Sequence, residues 1–461
     1  MGSTGAERPR RLIRTHARAV SLIRTHARAV NQGVHAQGLK VAVVGSGIAG
    51  LTAARMLDRR HDITLFEADN RIGGHTNTIR VDDPRGAAWI DTGFIVHNDR
   101  NYPNFLRLLG ELGVATQDSE MGMSISDDSG SFEFANTRRG LFAQRSNLLR
   151  PNFWKLIRDQ LRFNREARPL AGRPDAPTVG EFLRDSGYSR WFVERAIMPE
   201  VSAVWSADSE AIWNFPLGFL AEFLDNHGQL QLTRRPQWRT VTGGSRAYVE
   251  ALVEPFRDRI RLGAAVRRIE RLDQGVLVEA DGCETEVFDQ VVVAAHSDQA
   301  LAMLADPSAA ERRVLGAMRY QANEAVLHTD ASLMPRRRRA WASWNFHLGA
   351  GARSAVTYWM NNLQRLELER EYLVTLNRTA VIDPAAVIEK LEYAHPVITQ
   401  ESYAAQRRWS EISGVDRVHY CGAYWRWGFH EDGCWSALRA CESLLGKPLA
   451  LPRPAGLELA A

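Results

Sequence analysis

Along the chain, the spacing of apolar residues changes period in an order that alternates strands with helices. Residues 39–44 form a short apolar, β-branched run that predicts a buried strand, and a glycine-rich turn follows at once. Residues 51–57 continue at helical spacing, and 62–66 form a second strand that ends on Glu67. An amphipathic helix is predicted over 101–112. Short strands at 124–126 and 132–134 give way to helical stretches at 153–163, 179–185 and 191–197. The helical stretch 211–224 is rich in large apolar groups, which serve either as core or as the lining of an apolar tunnel. Ser245 is a candidate N-cap for a helix over 246–253. Strands follow at 260–262 and 265–269, then hairpin turns near Gly275 and Gly282, then a buried strand at 291–295. Further strands are predicted near 322–329, 339–346, 355–360 and 372–376, and a helix over 384–392. A last strand and turn, 418–423, lead to a helix over 434–446.

The opening order of strand, Gly45-Ser46-Gly47-Ile48-Ala49-Gly50, helix, strand and acid is a dinucleotide-binding arrangement. Gly45 permits the tight turn, Gly47 lets the backbone approach a pyrophosphate, and Gly50 lets helix and strand pack closely. The helix N-terminus, at Ile48 and Ala49, offers unpaired N–H groups and about half a positive charge to phosphates. Glu67 stands about 20 residues on, where a carboxylate accepts hydrogen bonds from an adenosine ribose.

The next residues are Glu67-Ala68-Asp69-Asn70-Arg71-Ile72-Gly73-Gly74. Here the chain resembles the flavin-containing amine oxidase superfamily, which carries Glu-Ala-x-x-Arg-x-Gly-Gly at this point. The resemblance implies FAD as cofactor, with this segment touching its pyrophosphate. The family's usual next residue is arginine, and this chain has His75 instead. The resemblance further implies that Thr92 and Gly93 lie toward the flavin and that the backbone of Val266 meets the adenine. It also implies that Gly422, Asp432 and Gly433 hold the isoalloxazine and ribityl phosphate. The expected fold is α/β: a Rossmann-like FAD-binding domain of glutathione-reductase type, interleaved with a mixed-sheet and helical substrate domain. The FAD-binding domain is expected over 39–115, 236–305 and 410–450, and the substrate domain over 116–235 and 306–409.

Many members of this superfamily set a lysine beside the flavin, from a strand that here is 322–329. That strand has none: the only lysines are Lys40, Lys155, Lys390 and Lys447, the middle two in predicted helices. The motif Gly428-Phe429-His430-Glu431-Asp432-Gly433 resembles a bacterial branch often encoded beside methyltransferases similar to cyclopropane-fatty-acid synthase. The branch implies an FAD-dependent oxidoreductase acting on an apolar, unsaturated or methylated acyl lipid. An amine or polyamine oxidase and a non-catalytic flavoprotein partner of a lipid methyltransferase are the alternatives. His430, Glu431 and Glu324 are the candidate catalytic groups, with His328 nearby in sequence. Tyr424, Trp425 and Trp427 are candidates for the substrate wall.

Composition adds limits. A net charge of +4 over 461 residues gives no reason to expect nucleic acid. Four cysteines without a C-x-x-C spacing suggest neither a disulfide framework nor a zinc site, which fits a reducing cytoplasm. No apolar run approaches the ~20 residues that span a bilayer. Residues 1–38 hold a tandem duplication, 12–20 repeated at 22–30, and read either as a disordered basic tail or as a basic helix against anionic lipid. Arg10-Arg11 lacks a following apolar stretch, so an export signal is not expected. The run Arg336-Arg337-Arg338-Arg339 reads as a solvated loop or as a site for anionic phospholipid or an acidic acyl-carrier surface.

Overall fold

The computed structural model describes residues 38–231, 235–349 and 355–449, so the tandem duplication lies outside the described residues. Lys40–Val44 sits at the centre of a five-stranded parallel sheet. Asp62–Phe66 and Gln290–Val293 flank it, and Ile260–Arg261 and Val418–Tyr420 form the edges. Near-continuous apolar runs are what a sheet covered on both faces requires. One face, with Val41, Val43, Ile63 and Leu65, packs on the helices Ile48–Asp58, Arg246–Val253 and His430–Leu445. The other face, with Ala42, Val44 and Phe66, packs on the antiparallel sheet of Val266–Leu272, Gly275–Ala280 and Glu286–Phe288.

A second, seven-stranded sheet runs in the order Val387–Pro396, Tyr320–His328, Leu373–Leu376, Val356–Trp359, Trp344–Leu348, Met123–Asp127, Glu133–Ala135. It is antiparallel except where Trp344–Leu348 meets Met123–Asp127. Against its far end stand the helices Pro151–Ala167 and Met198–Trp205, through Phe153 and Ala203. Aromatic residues dominate the core of this helical part, with Phe163, Phe192, Trp205, Phe215 and Phe219 all buried.

The strand expected at 339–346 is a 3₁₀ turn, Arg338–Ala340, followed by the strand Trp344–Leu348, and four further differences from the sequence expectation bear on the site. The predicted helix 384–392 is a short 3₁₀ turn, Pro384–Ala386, followed by the strand Val387–Pro396. That strand pairs along the whole of Tyr320–His328, and this ladder overrides local helix preference. The stretch 211–224 is two helices, Ser209–Trp213 and Leu217–Asn226, because Pro216 lacks an N–H and holds Phe215 out of the helical region. Ser245 does not cap the helix behind it, since its hydroxyl and N–H both go to Asp91. The closing helix begins at His430 rather than Cys434, which makes His430, Glu431, Asp432 and Gly433 its first turn.

Candidate functional site

A cavity of about 1190 Å³ begins at the glycine turn and runs on into the helical part. Gly45 and Gly47 line it, Gly50 stands behind the turn, and each is glycine for a different reason. Gly45 has φ +100°, a backbone that glycine adopts freely. A Cβ on Gly50 would lie 1.9 Å from the carbonyl oxygen of Gly45, so only glycine permits this approach. A Cβ on Gly47 would meet no protein atom within 4 Å, so that backbone stands open to the cavity. No side chain caps Ile48–Asp58, which leaves its first-turn N–H groups available to a phosphate. Glu67 accepts the N–H and hydroxyl of Ser46 on one oxygen and the Asp69 N–H on the other, with its carboxylate on the cavity wall. Ile48, Ala49, Ala68, Gly73, Gly74, Thr92, Gly93, Val266 and Gly422 line the same cavity, and this cradle fits FAD.

Three of the residues expected to hold the cofactor stand behind it instead. Arg71 donates to the carbonyls of Gly74 (2.8 Å) and Thr76 (3.3 Å), which braces the Gly73-Gly74 turn. Asp432 accepts the N–H of Phe429 (2.9 Å) and so caps its own helix. Gly433 allows the closing helix to approach the glycine-turn helix, since a Cβ there would lie 2.6 Å from Ile48 Cγ2.

The candidate catalytic groups separate as well. Glu324 is exposed on the sheet's outer side, its backbone bound to Asn377, so it is not a cavity residue. His328 is buried and satisfied, with Nε2 on Thr375 (2.7 Å) and Nδ1 accepting the Asp330 N–H (3.1 Å). Glu431 points away from the cavity. It accepts the N–H groups of Asn104 and Phe105 (both 3.0 Å) and the Asn104 amide (2.6 Å), capping the helix Pro103–Glu111. The reason is helical geometry: residues one apart on a helix face different ways. Burial pushes the Glu431 carboxyl up to about 8, while those N–H groups pull the other way. His430 does line the cavity. Its ring stacks on Phe94 (3.4 Å, 12° between planes), and Nε2 lies 3.0 Å from both Thr76 Oγ1 and Tyr248 Oη. Burial, with His75 and His97 adding to it, holds His430 neutral. Tyr424 and Trp427 also line the cavity, whereas Trp425 belongs to the core behind the parallel sheet.

Beyond the cofactor cradle the wall is mostly apolar, with Met123, Ile125, Leu156, Ile157, Trp205 and Phe223 beside the polar Gln160 and Asn164, and no lysine among the described residues lines it. Two polar features of this chamber escaped the sequence reading. Glu200 lies on Met198–Trp205, directly after the π-helical turn Val193–Ile197. π-turns of this kind frequently occur at functional sites. Burial pushes its carboxyl up to about 7, and Arg235 at the rim pulls it down. Its signal in sequence was a lone acid within Ala196-Ile197-Met198-Pro199-Glu200-Val201.

The second feature is the pair His296 and His395, which join His75, the residue already singled out in sequence beside the cofactor, in a cluster of three imidazoles. His75 lies 5.9 Å from His296 and 5.8 Å from His395, ring centre to ring centre. Burial and the neighbouring imidazole push them down, to about 4 for His75 and His296 and about 3 for His395, so all three are neutral. The proton of His395 is fixed by a chain of amides. Asn377 Oδ1 accepts the Glu324 N–H (3.2 Å), so its amide nitrogen faces Asn323 Oδ1 (2.9 Å). Asn323 then gives its own amide nitrogen to the Gln321 carbonyl (3.1 Å) and to His395 Nδ1 (3.3 Å). Nδ1 is therefore an acceptor, and the ring proton sits on Nε2 as a donor for a molecule in the cavity. Ser206, at φ +55°, also brings its hydroxyl to Nδ1 (3.1 Å).

The profile of the flavin containing amine oxidoreductase family matches residues 48–445. The chain is 24% identical over 322 residues to an L-amino-acid oxidase of Siganus canaliculatus, covering 63% of this chain and 57% of the relative. It is 29% identical over 259 residues to amine oxidase [flavin-containing] B of Bos taurus, covering 52% of this chain and 46% of the relative. The chain thus spans about half the length of these curated relatives. Among solved structures, cyclohexylamine oxidase from Brevibacterium oxydans aligns with a TM-score of 0.64 at 17% identity, over 88% of this chain and 100% of that one. A CLA-producing fatty acid isomerase from P. acnes aligns with a TM-score of 0.62 at 14% identity, over 87% of this chain and 97% of that one.

Proposed function

This chain belongs to the flavin-containing amine oxidoreductase family, with FAD as its cofactor, and we propose that it oxidises or rearranges an apolar acyl chain. The observation that carries this reading is the continuity of the FAD cradle with a mostly apolar chamber whose lining includes no lysine among the described residues. Bound FAD supplies a hydride acceptor, and the protein supplies orientation and the exclusion of water. The Nε2–H of His395 adds a donor to the wall, which suits an ester or carboxyl oxygen and gives an ammonium group nothing to bind. The fold accommodates both substrate classes, since its solved examples include an amine oxidase and a fatty acid isomerase. The test is to incubate FAD-loaded protein with a monounsaturated phospholipid and identify the released acyl chains by mass spectrometry. Loss of two hydrogens or a moved double bond supports the reading, and unchanged acyl chains under every acceptor tried reject it.

Glu200 favours a second reading. Its carboxylate faces the chamber with no hydrogen-bond partner among the described residues, so it can neutralise an ammonium group. An amine that reduces the flavin in wild type but at least tenfold more slowly in Glu200→Gln would establish the amine reading.

A further inference from the structure

The segment 138–165 combines two properties that surfaces seldom combine. It holds eight arginines and lysines against one acid, the buried Asp159, which pairs with Arg158. Glu166, the next residue, pairs with Arg162 and Arg165, which leaves Arg138, Arg139, Arg145, Arg150 and Lys155 without an ion pair among the described residues. It also carries five large apolar side chains turned toward solvent: Phe142 (38% exposed), Leu148 (44%), Leu149 (86%), Trp154 (47%) and Leu161 (48%). The first four form one patch. The Phe142 and Trp154 rings are 6.0 Å apart, the Trp154 indole N–H donates to the Leu148 carbonyl (3.0 Å), and Leu149 is the next residue. Along Pro151–Ala167 the stripe continues as Trp154, Arg158, Leu161 and Arg165, spaced three and four apart on one exposed face. Arg138, Arg139, Arg145 and Lys155 are exposed within the same segment and make no ion pair among the described residues.

The same helix forms a wall of the chamber. Leu156, Ile157, Gln160 and Asn164 line it, and Leu161 is both a lining residue and half exposed, which marks the chamber's edge. We propose that this face docks on an anionic phospholipid bilayer and delivers an acyl chain from it past Leu161 into the chamber. The charge is complementary to a phospholipid surface, and the tryptophan and leucines suit the depth of the headgroup–acyl boundary. A helix with apolar and basic residues alternating on one face lies along such a surface rather than across it, and no helix among the described residues is long and apolar enough to cross a membrane.

The proposal rests on the acyl-chain reading for its purpose but not for its test. The experiment is flotation of the FAD-loaded full chain with vesicles of phosphatidylcholine alone and of phosphatidylcholine with phosphatidylglycerol in equal parts. Wild type is expected to float with the mixed vesicles and to release as salt is raised. Leu149→Glu with Trp154→Glu should weaken that partition by roughly tenfold or more, since it removes two inserted groups and adds repulsion. Both positions are exposed, so an unchanged melting temperature and FAD content verify the fold. A second variant, with Arg14, Arg18, Arg24 and Arg28 changed to alanine, tests the basic N-terminal segment and should float as wild type does.

The proposal is overturned if the double variant floats as well as wild type. It is also overturned if the N-terminal variant alone loses binding, or if wild type ignores vesicles and binds an acidic carrier protein instead. The two failures are distinguishable. Flotation without any reaction of the lipid rejects the acyl reading and leaves the docking face standing. Turnover of detergent-dispersed lipid without flotation does the reverse.

Discussion

Gly47 and Gly50 are the same residue three positions apart, with opposite reasons to be glycine. The space beside Gly47 is open, and its backbone (φ −66°, ψ 175°) suits any residue. Gly47→Val is expected to fold with an unchanged melting temperature and to bind FAD at least tenfold more weakly, read by titration of the apoprotein. Gly50→Val should fail to fold, because its Cβ has no room beside the Gly45 carbonyl. Glu431 has an equally definite expectation. Glu431→Gln should cost about 1–2 kcal/mol in urea unfolding, through weaker capping of Pro103–Glu111, and leave the turnover number within a factor of two. The glycines and Glu67 were legible in the sequence because their constraints are local, with each role set within one strand–turn–helix unit. Glu200 and His395 were not, because their meaning comes from distant partners. The proton of His395 is decided by residues 323 and 377, and Glu200 matters only because a chamber forms around it.

Elements anchor one another across the fold, and Asp91 shows how. It ends the hairpin strand Gly86–Asp91, and its carboxylate accepts the N–H and hydroxyl of Ser245, the Thr78 hydroxyl (2.6 Å) and the Gln364 amide (3.3 Å). It thereby holds the N-terminus of Arg246–Val253, a helix with no side-chain cap of its own. Asp91→Ala leaves several buried donors without partners and should cost about 3 kcal/mol or more in chemical denaturation. The local sequence marks this helix but points to Ser245 as its cap, since a serine before a helix is the commoner local solution. The same limit produced the misread 384–392. Pro384 and the following charged residues suit a helix start, and only the ladder to Tyr320–His328 makes a strand of them. That strand carries Tyr393 and His395 to the cavity, so the error also hid part of the site. The basic run at 336–339 is likewise less free than a solvated loop. Glu133 accepts the backbone N–H groups of Arg336 and Arg337, and Arg338 pairs with Glu371 (2.7 Å) over Trp341.

At the scale of the molecule, burial of ionisable groups sets an acid limit. Each of the ten histidines among the described residues is held below its ordinary value, with burial the leading cause. A depressed histidine stabilises the fold fully above its unfolded value near 6.5 and loses that contribution as pH falls toward its folded value. Asp91 and Asp432, raised to about 6, Glu200, to about 7, and Glu431, to about 8, act in the opposite sense, losing stability as pH rises. The histidines outnumber them, so the melting temperature should fall as pH is lowered from 7 to 5. The slope is about 1.4 kcal/mol per pH unit for each net proton taken up. A melting temperature that rises over this range would contradict the balance.

The most direct test of the central claim is anaerobic incubation of the flavin-loaded protein, followed by its visible absorbance and by mass spectrometry of the lipid, with phospholipid vesicles on one side and amines of matched chain length on the other. The predicted result is no bleaching by amine, and with phospholipid either bleaching or a moved double bond with the flavin left oxidised. Bleaching by amine alone would contradict the acyl-chain account and assign the chamber to Glu200 and an ammonium substrate.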